Sequence, residues 1–108
     1  MTVNRLAQEL GLETLSLADG EREITGAYAG DLLSWVMGRA QEGDVWITIM
    51  TNINTVAVAS LVDVACVIIA EGCEPEPNVL ETVRNKGINL LRSGKTTFEL
   101  CAEIHGKI

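Results

Sequence analysis

Aromatic residues are scarce in this chain: two Trp, one Tyr and one Phe stand among 108 residues. The hydrophobic share of 47% therefore rests on Val, Ile, Leu and Ala, a composition suited to a sheet covered by helices. Positive charge is scarce as well. Eight Lys and Arg, with no run among them, face fifteen Asp and Glu, for a net charge of −7. That balance excludes nucleic acid and anionic membrane surfaces as partners, because both need clustered cations to displace counterions. No apolar stretch reaches the ~20 residues of a membrane span. The opening Met1-Thr2-Val3-Asn4-Arg5 lacks the apolar centre of a secretory signal, and a cytoplasmic protein is expected.

Metal-ligating and nucleophilic residues are few. Cys66, Cys73 and Cys101 are odd in number and widely spaced, which suggests neither a disulfide framework nor a zinc knuckle. Cys66 sits in an apolar run as a small buried hydrophobe, and Cys73 lies among Glu71, Glu74 and Glu76, whose charge disfavours a thiolate. Cys101 and His105 are four residues apart on an expected helix, yet two ligands do not complete a metal site. No metal and no cofactor is expected. The sole histidine, His105, stands on the last turn of the chain, and no Ser/His/Asp set is expected. Gly94-Lys95-Thr96 lacks the upstream glycine of a phosphate loop, and the glycines at 26 and 30 do not make a dinucleotide fingerprint. The chain is expected not to be an enzyme.

Periodicity and end signals outline one domain over residues 1–108, without repeats or linkers. Thr2 caps a helix carrying Val3, Leu6, Ala7 and Leu10, and Gly11 ends it. Residues 12–17 read as a half-buried edge strand with Leu15 and Leu17 inward, and 22–25 as the strand entering a loop over Gly26 to Gly30. Asp31 opens a helix with Leu32, Leu33, Val36, Met37 and Ala40 on one stripe. Trp35 lies about 130° off that stripe, either as an interface residue or flat under Arg39. Val45 to Met50 is a strand. Asn54 caps a helix reaching Asp63 that is apolar nearly all round, with a strand as the alternative for its β-branched residues, and the continuous run Ala65 to Ala70 has the signature of a central parallel strand. Pro77 starts a helix with Val79, Leu80 and Val83, Gly87 ends it, and Ile88 to Leu91 is a strand. Thr96 and Glu99 form a capping box for a last helix reaching about His105. The expected fold is α/β: a small three-layer domain with a mostly parallel sheet flanked by helices.

Two sets of residues are candidates for function. Loops 26–31 and 51–54 should open on one carboxyl edge of the sheet, where such sheets bind ligands. There Tyr28 offers a stacking face beside Gly30, Asp31 a carboxylate for a hydroxyl or amino group, and Asn52 and Asn54 neutral donors and acceptors. The alternative is structural, with the asparagines capping the next helix and Tyr28 packing on its loop. The second set is Val58, Leu61 and Val62 with Trp35. A helix apolar on both sides is buried on both sides, which in so short a chain implies a homodimer. Glu71, Glu74, Glu76 and Glu81 read as a solvated acidic rim.

Leu10-Gly11-Leu12, the segment Ile24-Thr25-Gly26-Ala27-Tyr28-Ala29-Gly30-Asp31-Leu32-Leu33-Ser34, and the strand, loop and helix from Val45 to Val62 together resemble DRTGG-type domains. These are small α/β modules related to the N-terminal domain of HPr kinase/phosphorylase and found beside regulatory or catalytic domains in larger bacterial proteins. Stand-alone members occur in anaerobic bacteria, some encoded near iron-only hydrogenases. The resemblance implies a non-catalytic regulatory or oligomerising module, with a hydrogenase- or kinase-related protein partner and room for a small-molecule ligand. A nucleotide-like sensor is the second reading and an enzyme of unknown reaction the third. The Asp-Arg-Thr-Gly-Gly signature itself is missing: Thr51-Asn52-Ile53-Asn54-Thr55 follows the strand instead, so no role of that signature carries over.

Overall fold

Cap and stop residues bound the helices before any packing is considered. In the computed structural model, which describes all residues 1–108, the Thr2 side chain accepts from the Arg5 N–H to open α1 (Val3–Leu10), closed by Gly11 at φ 63°. There follow β1 (Glu13–Ser16), β2 (Gly26–Ala29), α2 (Leu33–Arg39), β3 (Asp44–Thr48), α3 (Ile53–Val62), β4 (Cys66–Ile69), α4 (Pro77–Lys86), β5 (Leu90–Arg92) and α5 (Thr97–His105). The sheet order is β1-β5-β4-β3-β2, with β2 to β5 parallel and β1 antiparallel to β5. Residues of α1 and α5 pack on one face, those of α2, α3 and α4 on the other. This is the three-layer α/β domain expected from the sequence.

The centre of the sheet carries the burial. Every residue of β3 and β4 is buried, with Cys66 and Ile68 turned to the α1/α5 side and Val67 and Ile69 to the other. A fully buried aliphatic side chain contributes about 1.5–3 kcal/mol, so these two strands anchor the domain. No residue of β2 is buried. Pro77 at the start of α4, Gly87 at its end and the Thr96/Glu99 capping box of α5 all stand where the sequence puts them.

Four local expectations are overturned. β2 is not residues 22–25 but the Gly26–Ala29 segment read as loop. Its alternation of Gly26 and Tyr28 against Ala27 and Ala29 is a strand pattern made too weak to read by small side chains, and it becomes a strand by pairing with Asp44 to Ile47. A Cβ at position 26 would lie 2.6 Å from Asp44 Oδ1, so a larger residue would have to push that carboxylate aside. In β1 a register irregularity between Thr14 and Ser16 reverses the alternation, burying Ser16 and leaving Leu17 41% exposed. On α2 only Val36 is fully inside, while Leu32 and Met37 are exposed, because this helix lies at the sheet's margin. The cap of α3 is Asn52, not Asn54: its side chain accepts from the Asn54 N–H.

Candidate functional site at the carboxyl edge of the sheet

Parallel strands end together, so the loops after β2, β3, β4 and β5 all lie along one edge. Asp31, just past β2, turns back to β3: its Oδ1 accepts from Thr48 Oγ1 at 2.8 Å and from the Ile49 N–H at 2.9 Å. Gly30 is fixed from both sides, its N–H donating to Ile47 O and its carbonyl accepting from Trp46 Nε1 at 2.9 Å. The Tyr28 ring lies against Gly30, where a Cβ would meet its Cε2 at 2.9 Å. Asn52 spends its carbonyl oxygen on the α3 cap, and Asn54 is exposed on the first turn. The structure thus brings Tyr28, Gly30, Asp31, Asn52 and Asn54 to one edge. It gives Tyr28 a packing contact and Asp31 and Asn52 structural bonds.

Where loops leave the sheet decides where a crevice can open. The connections after β2, β3 and β4 all lead to the face of α2, α3 and α4, whereas β5 leads to α5 on the opposite face. Loops therefore part between β4 and β5, the position at which open α/β sheets admit ligands. The candidate loops of the sequence reading, after β2 and β3, lie two strands away along the same edge. At the parting, the two loops are laced together. The Glu71 N–H donates to Lys95 O and the Gly72 N–H to Ser93 O. The Glu71 carboxylate accepts from the Thr97 N–H at 3.1 Å, so the start of α5 already holds an anion. Glu71 takes a left-handed backbone, φ 63°, to reach it.

Arg92 is the residue that sequence reasoning missed. Its guanidinium donates to Cys73 O and Gly72 O, both at 2.8 Å, and pairs with Glu13 and Glu74. One side chain thus ties β1, β5 and the acidic loop together. Two members of the acidic set, Glu71 and Glu74, are consequently structural partners rather than free rim charges. An arginine at a strand end beside a glutamate-rich loop was the available signal.

The second candidate set is divided by the fold. Val58 is 7% exposed and belongs to the chain's own core, with Val62 partly buried against it. α2 and α4 flank α3 and cover most of what an all-round apolar helix presents, leaving Leu61 73% exposed. Trp35 is 53% exposed with the Arg39 guanidinium carbon 3.8 Å from its ring centroid. Cys66 is fully buried, and burial pushes its thiol pKa up to about 12.

No protein-family model matches the chain, and no curated protein matches it. Among solved structures it is similar to the CBS and DRTGG domains of the regulatory region of Clostridium perfringens pyrophosphatase, a crystal structure in complex with the activator diadenosine tetraphosphate. The TM-score is 0.72 at 14% identity, over 94% of this chain and 44% of that one. The likeness is one of fold, and this chain corresponds to less than half the length of its neighbour.

Proposed function

We propose that the chain is a non-catalytic regulatory module of the DRTGG type, acting through self-association and a protein partner. The observation that carries this reading is how the strand ends use their polar groups. Asp31, Asn52, Glu71 and Arg92 are each bonded to the chain's own backbone, which fits loops that hold a shape rather than loops that perform a reaction. Self-association is favoured by the exposed apolar side chains Trp35 and Met37 on α2, in a chain otherwise rich in charge. Light scattering across a concentration series tests it: a dimer at high micromolar concentration is expected, and a monomer there would end this reading.

A second reading, a sensor for a nucleotide-like ligand, draws on the fold neighbour, whose regulatory region is bound to diadenosine tetraphosphate. A ligand at ~100 times its dissociation constant adds about 2.7 kcal/mol. In a domain this size that raises the melting temperature by roughly 10 °C or more. Diadenosine tetraphosphate, ATP and AMP, with and without Mg²⁺, form the panel. A shift abolished by Asp31→Ala with Asn52→Ala assigns the ligand to the β2/β3 loops, and a flat panel leaves the partner-binding module alone.

A further inference from the structure

The two margins of the sheet are defended unequally. β1 carries Glu13, paired to Arg92, and an irregular register between Thr14 and Ser16, devices that keep an edge strand from pairing with another chain. β2 has no charge, proline or bulge, and β3 is its only neighbour. Ala27 and Ala29 are exposed along it.

Charge avoids the same side of the molecule. Between Ile24 and Val62 the charged residues are Asp31, Arg39, Glu42 and Asp44 alone. Asp31, though exposed, bonds back onto Thr48 of β3, and Asp44 is buried. Five of the eight exposed large hydrophobics, Leu32, Trp35, Met37, Ile49 and Leu61, fall in this stretch. For a chain of net charge −7, a contact along β2 and α2 would let identical copies meet with few carboxylates brought together. On the α1/α5 face, α5 lies over β3. A groove of about 360 Å³ remains beside β2, floored by Ala27, Ala29 and Ile47 and walled by Cys101, Ile104 and His105. Phe98, 82% exposed, stands one turn before Cys101 on the same helix.

We infer that β2 pairs antiparallel with β2 of a second copy across a twofold axis, joining the two five-stranded sheets into one. This rests on the reading of the chain as self-associating. The pairing satisfies an unprotected edge, and the twofold sets α2 beside its counterpart on one face. A stable interface buries about 800 Å² per partner, more than a four-residue strand supplies, so α2 and α5 side chains, Trp35 and Phe98 among them, provide the rest. With strands ~4.8 Å apart, β3 and its counterpart lie about 14 Å apart, beyond the 8–10 Å of helices in direct contact. The two α5 helices therefore frame a trough that receives both Phe98 rings.

Sedimentation of the full chain with Ala29→Glu and Leu61→Asp variants tests the pairing. Ala29→Glu should weaken the dimer roughly thirtyfold or more with its thermal melt retained, and Leu61→Asp, on the outer surface of α3, should change it less than about threefold. A wild-type monomer at high micromolar concentration removes self-association and the pairing together. A dimer that tolerates Ala29→Glu and fails with Leu61→Asp keeps self-association and overturns edge pairing. Hydrogen exchange on the wild type needs no variant: amides of residues 27 and 29 should lose protection on dilution, and protection independent of concentration overturns the proposal.

Discussion

The edge strands β1 and β2 are both four residues long and lie at the sheet's two margins, yet they are held by opposite means. β1 is held by a side chain from its neighbour, since Arg92 on β5 reaches Glu13 and two carbonyls of the β4–α4 loop. β2 is held by the strand beneath it, through the buried Trp46 indole on Gly30 O and through Asp31 on Thr48 and Ile49. A charged clasp protects an edge from foreign strands, whereas a clasp made of buried and inward-facing groups secures the strand and leaves its outer rim bare. The contrast shows that stability and protection are separate properties of an edge.

The largest blow to this contrast should come from Trp46→Ala, which removes a fully buried indole and orphans Gly30 O. A loss of about 3–5 kcal/mol is expected in urea unfolding, with β2 amides exchanging first. Arg92→Ala should cost about 2–3 kcal/mol by leaving the Gly72 and Cys73 carbonyls and Glu13 without their donor. Arg92→Lys should recover only part of that, because an ammonium cannot reproduce the fork. If full stability returned with Lys, charge rather than geometry would be the β1 clasp. Asp31→Ala is expected to cost about 1–2 kcal/mol, and Asp31→Asn less, since an amide oxygen can still accept from the Ile49 N–H. Equal losses in the two variants would point to the carboxylate's charge.

The smallest effect concerns the α1/α5 layer, where acid should loosen the helices. Hydrogen bonds from Lys107 and Arg5 hold the Glu9 carboxyl below its ordinary value of 4.5, and the Thr96 N–H and hydroxyl do the same for Glu99. A carboxylate whose folded pKa is depressed stabilises fully above its unfolded value and loses that contribution as pH falls through the folded one. Thermal stability should thus decline below about pH 4.5, and Glu9→Gln with Glu99→Gln should flatten that decline. An unchanged acid limb would show these exposed pairs to be inert.

Much of the fold was legible because its signals are local. Gly11 and Gly87 end helices, Pro77 starts one, Thr96 and Glu99 box another, and the unbroken apolar run Ala65 to Ala70 carries the signature of a central strand. β2 was not legible, since Gly-Ala-Tyr-Ala has little intrinsic strand character and acquires it from β3 alone. The same limit explains α3. Its apolar residues were visible, but whether Val58 faced a second subunit or the chain's own α2 and α4 depended on where two distant helices settled.

By itself, the sequence determined the α/β class, the helix boundaries set by caps, the central strand and the acidic, charge-segregated character of the chain, because each depends on residues close together or on composition. Only the tertiary structure decided strand order, and with it the parting of loops between β4 and β5, the Arg92 clasp and the bare rim of β2. Those depend on pairing between segments tens of residues apart, and no local preference encodes which of two exposed strands will be fastened by charge and which left open.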